Sequence, residues 1–112
     1  MAKIAARTYS RYTLEALSLL GMLLRTRRIE KKIGTQALAE RAGISRDLLH
    51  RIEKGDPRCE IGVAFELAAI LGVPLFEAEP GALTARSRDV QDRLTLLPKA
   101  VHAPRDEVKD DF

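Results

Sequence analysis

Between Ser45 and Lys54 the chain carries Arg46, Asp47, His50, Arg51 and Lys54, five polar side chains spaced to fall on one side of a helix at about 100° per residue. Leu48, Leu49 and Ile52 fall on the other side. If the apolar side packs inward, a row of long donors faces outward on a rod narrow enough for the major groove of B-DNA. Arg46 and Arg51 suit bidentate donation to guanine, and His50 or Lys54 can reach a base or a phosphate. Asp47 can accept from a cytosine amino group, or orient Arg46 or Arg51 through a charge-assisted hydrogen bond; the orienting role is preferred. Thr35 and Gln36, a hydroxyl and an amide at the start of the preceding element, are candidates for phosphate contact, aided by a helix N-terminus. Ser45 is a candidate for both capping and phosphate contact, since capping uses one lone pair only.

Other chemistry finds no constellation. His50 has no Ser or Cys nucleophile at a defined spacing, and His102 lies in a Pro-bordered tail, so an enzyme is not expected. One Cys and two distant His do not make a tetrahedral metal set, and no cofactor is expected. The single Cys59 cannot close an intramolecular disulfide, which points to a reducing, cytoplasmic setting. The N-terminus lacks an apolar signal region, and the most apolar run, Ala16 to Leu24, is too short to span a bilayer, so no membrane association is expected. Residues 1–60 hold 13 Lys and Arg against 7 Asp and Glu, whereas residues 61–112 hold 6 against 9. The basic half therefore coincides with the outward row, although a solvated charged face would look the same.

The elements that must position this row read as all-α. Leu and Ala dominate, aromatics are 4% and Trp is absent. Residues 1–12 read as an N-terminal arm. A first helix is expected from an N-cap at Thr13 to about Lys31 or Lys32, with Leu17, Leu20 and Leu24 inward. Leu19, Met22 and Leu23 widen its apolar surface, a hint that another chain or the C-terminal segment covers it. A second helix is expected from an N-cap at Thr35 to Gly43, and Ile44-Ser45 form the turn into the third. Two short helices about three residues apart make a helix-turn-helix layout. A fourth helix is expected over Glu60 to Leu71 with Gly72 as terminator, and a short fifth over Leu75 to Ala78, with Pro80-Gly81 closing a domain of residues 13–81. Residues 82–112 are expected to be a flexible tail with one candidate helix, 87–97, before Pro98.

The run Thr35-Gln36-Ala37-Leu38-Ala39-Glu40-Arg41-Ala42-Gly43-Ile44-Ser45-Arg46, then Arg51-Ile52-Glu53-Lys54-Gly55 and later Leu71-Gly72-Val73, resembles the Cro/C1-type (XRE) helix-turn-helix domain over about residues 20–78. The resemblance implies a five-helix, lambda-repressor-like fold, homodimers and palindromic operators. It also implies DNA contacts at Gln36, Ser45, Arg46, Asp47, His50 and Arg51, and a pairing of Arg28 with Glu53. Leu48 departs from the small hydroxyl residue commoner there, and Lys32-Ile33-Gly34 is one residue longer than the common form.

More narrowly, Glu53-Lys54-Gly55-Asp56-Pro57, Ile61-Gly62, the segment from Arg93 to Lys99 and Asp110-Asp111-Phe112 are similar to HipB-type antitoxins, whose partner is a HipA-like serine/threonine kinase toxin. That likeness implies a repressor of its own toxin–antitoxin operon, with partner contacts after Pro80 or on the surplus apolar face of the first helix. A stand-alone regulator and a dimeric interaction module without DNA contacts are the alternatives.

Overall fold

The structure, a computed structural model, describes residues 7–76 and 79–101. Five α-helices account for the regular structure among them, and no strand is present among the described residues: α1 (Arg11–Glu30), α2 (Thr35–Ala42), α3 (Arg46–Glu53), α4 (Ile61–Leu71) and α5 (Pro80–Leu96). The chain divides into two compact units, one ending at Leu75 and one beginning at Phe76.

In the first unit α1 packs on α3 and α4, and α2 packs on the same two helices. The side chains that meet at the centre are the ones apolar periodicity selects: Leu24, Leu38, Leu49, Leu67 and Leu71 are fully buried, with Ala39, Ile52 and Ala68 beside them. Burying each leucine contributes about 1.5–3 kcal/mol relative to exposure. Ile44 and Leu48 are partly buried against the same cluster, so the Leu48 side chain packs.

Helix ends obey local chemistry. Helix α1 begins earlier than an N-cap at Thr13 would allow: Ser10 is the cap, with extended backbone and its Oγ accepting from the Thr13 N–H at 3.2 Å. The Ser10 hydroxyl in turn donates to Thr13 Oγ1 at 3.0 Å, so Thr13 stands in the first turn and residues 11 and 12 are helical rather than part of an arm. Residues 1–6 of that arm lie outside the described residues. Helix α2 is capped by Gly34, not Thr35, because the Gly34 carbonyl accepts the first helical bond, from the Leu38 N–H at 3.1 Å. At its other end Gly43 adopts φ 70°, a conformation that costs a side-chain-bearing residue about 1–2 kcal/mol, and Ile44 N–H reaches back to the Ala39 carbonyl at 3.0 Å. Gly72 closes α4 in the same way.

The α1–α2 turn is the place where the chain departs from such chemistry. Lys32 takes φ 59° where glycine would be unstrained, while Ile33 N–H donates to the Arg28 carbonyl at 3.0 Å.

Past α4 the expected helix over Leu75 to Ala78 is not formed at Leu75 and Phe76, which make a bend; residues 77 and 78 lie outside the described residues. In the second unit Pro80-Gly81 starts a helix. Proline at the first helical position loses no hydrogen bond and has the right φ, and α5 then runs to Leu96, seventeen residues in all. Leu97 is extended, as the residue before Pro98 is pressed to be. The remainder of the expected tail from His102 to Phe112 lies outside the described residues.

Candidate nucleic-acid interface

Helix α3 starts where Ser45 Oγ accepts from the Leu48 N–H at 3.0 Å, with Ser45 itself extended. Asp47 comes next in the first turn, where a carboxylate meets the positive helix end. Leu49 and Ile52 point into the core, and Arg46, Asp47, His50 and Lys54 are exposed. Arg51 is partly buried. Thus the structure brings these five residues to one outward edge, with Ser45 exposed at its start. Thr35 and Gln36 occupy the first turn of α2; Thr35 is partly buried and carries no cap bond, and the exposed Gln36 donates through Nε2 to Glu40 at 3.0 Å.

Two devices fix the far end of α3 against α1. The first is an ion pair: Arg28 Nε donates to Glu53 Oε2 at 2.8 Å and Arg28 Nη2 to Glu53 Oε1 at 3.2 Å, while Arg28 Nη1 donates to the Ile33 carbonyl at 3.1 Å. Both side chains are nearly enclosed, at 10% and 5% exposure. The fork-on-fork geometry sets rotation as well as distance, and the third bond ties the α1–α2 turn to the same guanidinium. The second device is close backbone approach. A Cβ on Gly21 would lie 2.7 Å from the Ile52 carbonyl oxygen, and one on Gly55 would lie 2.9 Å from Ser18 Cα. Gly55 also turns the chain at φ 83°. The C-terminal turn of α3 therefore rests directly on the backbone of α1, and the outward edge is held at a defined angle.

Beyond Gly55 the chain folds back under α3. Asp56 N–H donates to the Arg51 carbonyl at 3.0 Å, and Asp56 Oδ2 accepts from Arg51 Nε at 3.0 Å. Asp56 Oδ1 accepts from the backbone N–H of Arg58 at 2.9 Å and from Arg58 Nε at 3.3 Å. These bonds hold the carboxyl at about 2, below its ordinary 3.8, first through the Arg58 backbone N–H and then through Arg51. The same contact, the Asp56 hydrogen bond foremost, raises the Arg51 guanidinium above its ordinary value. The carboxylate that orients Arg51 is therefore Asp56, whereas Asp47 makes no hydrogen bond to Arg46 or Arg51. Cys59 lies just beyond, partly buried against the core, and burial pushes its thiol up.

The family model described as helix-turn-helix domain matches residues 19–80, more than half of the chain. The chain belongs to that family. No curated protein and no solved structure gives a significant match. In helix-turn-helix terms α2 and α3 are the paired helices, Gly43-Ile44-Ser45 is the turn, and α3 stands in the place of the element that enters the major groove. Membership points to a DNA-binding regulator. No helix among the described residues is long and apolar enough to cross a membrane.

Two features of this helix-turn-helix unit escape sequence reasoning. Gly21 reads as part of an apolar run, yet its missing side chain is what lets α1 touch α3; a lone glycine within a leucine-rich helix is the available signal. Asp56 enters the sequence reading only within the run Glu53 to Pro57. Its spacing from Arg51, five residues across a glycine, carries no standard signature.

Proposed function

We propose that the chain is a sequence-specific transcriptional repressor that binds operator DNA as a homodimer. The observation that carries this reading is the outward edge of α3, where Arg46, Asp47, His50 and Lys54 are exposed while Leu49 and Ile52 on the reverse are buried. Arg46 and Arg51 read guanine through paired donors, His50 and Lys54 reach bases or phosphates, and Asp47 accepts from a cytosine amino group. Thr35, Gln36 and Ser45 meet the backbone with hydroxyl, amide and helix-end donors and fix the docking register. An interaction module without DNA contacts would have no need of this row.

A second copy is expected on the surplus apolar face of α1, where Leu19, Met22 and Leu23 are each about half exposed. The narrower role, antitoxin of a toxin–antitoxin operon with a HipA-like kinase toxin as partner, is supported by the likeness of Glu53 to Pro57, Ile61-Gly62 and the segments after Arg93 to HipB-type chains. Co-purification of the tagged chain from its native operon separates that role from a stand-alone regulator, which would bring down no kinase.

The DNA reading is tested by Arg51→Ala. Its affinity for the duplex that the wild-type chain enriches from a randomised pool should fall by about 1–3 kcal/mol, with little change for a scrambled duplex. Equal losses on both duplexes would remove base readout by Arg51.

A further inference from the structure

The loop between α3 and α4 holds a negative charge on the side of the molecule proposed to meet a polyanion. On electrostatic grounds alone, Asp56 weakens binding to any duplex. Its surroundings suggest what offsets that cost. The Asp56 side chain is only 14% exposed, and each oxygen takes one guanidinium Nε, from Arg51 and from Arg58. Both arginines keep their outer edge accessible, at 43% and 79% side-chain exposure, and neither makes a further side-chain hydrogen bond among the described residues. A guanidinium held at Nε still offers its two terminal nitrogens as a parallel pair of donors, the edge that matches guanine or phosphate.

Resting on the DNA-binding reading above, we propose that Asp56 is a positioning residue that pre-aligns Arg51 for a base edge and Arg58 for a phosphate, so that the interface extends past α3 into the α3–α4 loop. An arginine on a helix surface ordinarily samples many rotamers and loses that freedom when it docks. Here the backbone bond from Asp56 N–H to the Arg51 carbonyl and the side-chain bond back to Nε close a ring around Arg51, and the order exists before DNA arrives. Arg58 is fixed likewise, through its own N–H and Nε on the same oxygen.

The substitution Asp56→Asn discriminates well. Asparagine retains a carbonyl oxygen for the Arg58 N–H, so the turn survives, but it replaces the second acceptor with an amino group facing Arg51 Nε. It also removes a negative charge. Charge alone therefore predicts tighter binding to every duplex, whereas loss of positioning predicts weaker binding to the preferred one.

The experiment measures binding of the full chain to the duplex enriched by the wild type and to a scrambled duplex, at two salt concentrations, with thermal unfolding recorded for each variant. Asp56→Asn should lower affinity for the preferred duplex about tenfold and leave or slightly raise that for the scrambled one. In an Arg51→Ala background the same substitution should cost nothing further, since the effect runs through Arg51. Arg58→Gln should weaken both duplexes alike and reduce the salt slope by about one. Unchanged or tighter binding of Asp56→Asn to the preferred duplex overturns the proposal, as does an equal loss with Arg51 already removed, which would mark a merely structural loop. An Arg58→Gln chain with wild-type affinity and slope overturns the extension to Arg58. Failure of the wild type to bind any duplex sinks the DNA reading itself and this role with it, a result distinct from the others.

Discussion

The two units of the chain use similar residues to opposite effect. In the first, Leu24, Leu38, Leu49, Leu67 and Leu71 interlock until none has measurable exposure. In the second, Leu83, Val90 and Leu94 also recur at helical spacing, yet they remain 44 to 58% exposed along α5. The hydrogen bond from Thr95 Oγ1 to the Gln91 carbonyl, at 3.0 Å, stays within that helix. Apolar periodicity forms a helix in both places, but it makes a core only where a second and third helix present complementary faces. The difference bears on rigidity: α3, the helix proposed to meet DNA, lies in the unit where packing, an ion pair and glycine contacts act on the same few residues.

The comparison breaks most sharply at Arg28. Removing its side chain as Arg28→Ala leaves the Glu53 carboxyl nearly enclosed without its partner, and breaking a buried pair in this way costs about 3–5 kcal/mol. A marginally stable small domain loses most of its folding free energy at that level. Urea unfolding followed by circular dichroism should show the first transition shifted by that amount. A shift under about 1 kcal/mol would mean that water solvates Glu53 and that the pair contributes no more than a surface bridge does.

A smaller effect is expected at Gly21. Alanine is the better helix former, worth about 1 kcal/mol in an exposed helix. Here its methyl group would meet the backbone of Ile52 and Glu53, which cannot rotate away. Overpacking of this sort costs about 1–3 kcal/mol, so Gly21→Ala should lower stability despite the propensity gain. It should also tilt α3, seen as weaker binding to the preferred duplex than the stability loss alone explains. A neutral or stabilised variant would show that α1 and α3 stand farther apart than the glycine implies.

The same contrast explains how much of the molecule is legible in its residues. Periodicity locates α1 to α4, Gly43 and Gly72 mark two ends, and Ser45 reads directly as the cap of α3 because capping is a contact within four residues. The Arg28 to Glu53 pairing comes from likeness to the Cro/C1-type pattern, since no local rule joins residues twenty-five apart. The errors lie at boundaries where two signals compete. Ser10 and Thr13 both suit a cap, and the chain uses the earlier one; Gly34 needs no side chain to cap α2, while Thr35 looks the better candidate. Pro80 can stop one helix or open another, and the outcome depends on whether the residues beyond it can continue as helix, as 81–96 do. Asp56 cannot be foreseen, because its partner Arg51 is reached only after Gly55 has reversed the chain.

The smallest effect should come from α5, and it tests the contrast from its other side. Replacing Leu83 and Leu94 together by serine removes two of the largest side chains from the stripe on that helix. Each is about half exposed already, so little transfer free energy is at stake. Serine is a somewhat poorer helix former, which lowers helicity within α5 by a few tenths of a kcal/mol per site. The unfolding transition of the helix-turn-helix unit should then move by less than about 0.5 kcal/mol, as for ordinary surface changes. If the transition instead falls by more than about 2 kcal/mol, in the range of buried leucine truncations, then the α5 stripe is a structural face of the folded protein. The stripe would have to be counted with the core, and the difference drawn between the two units would disappear.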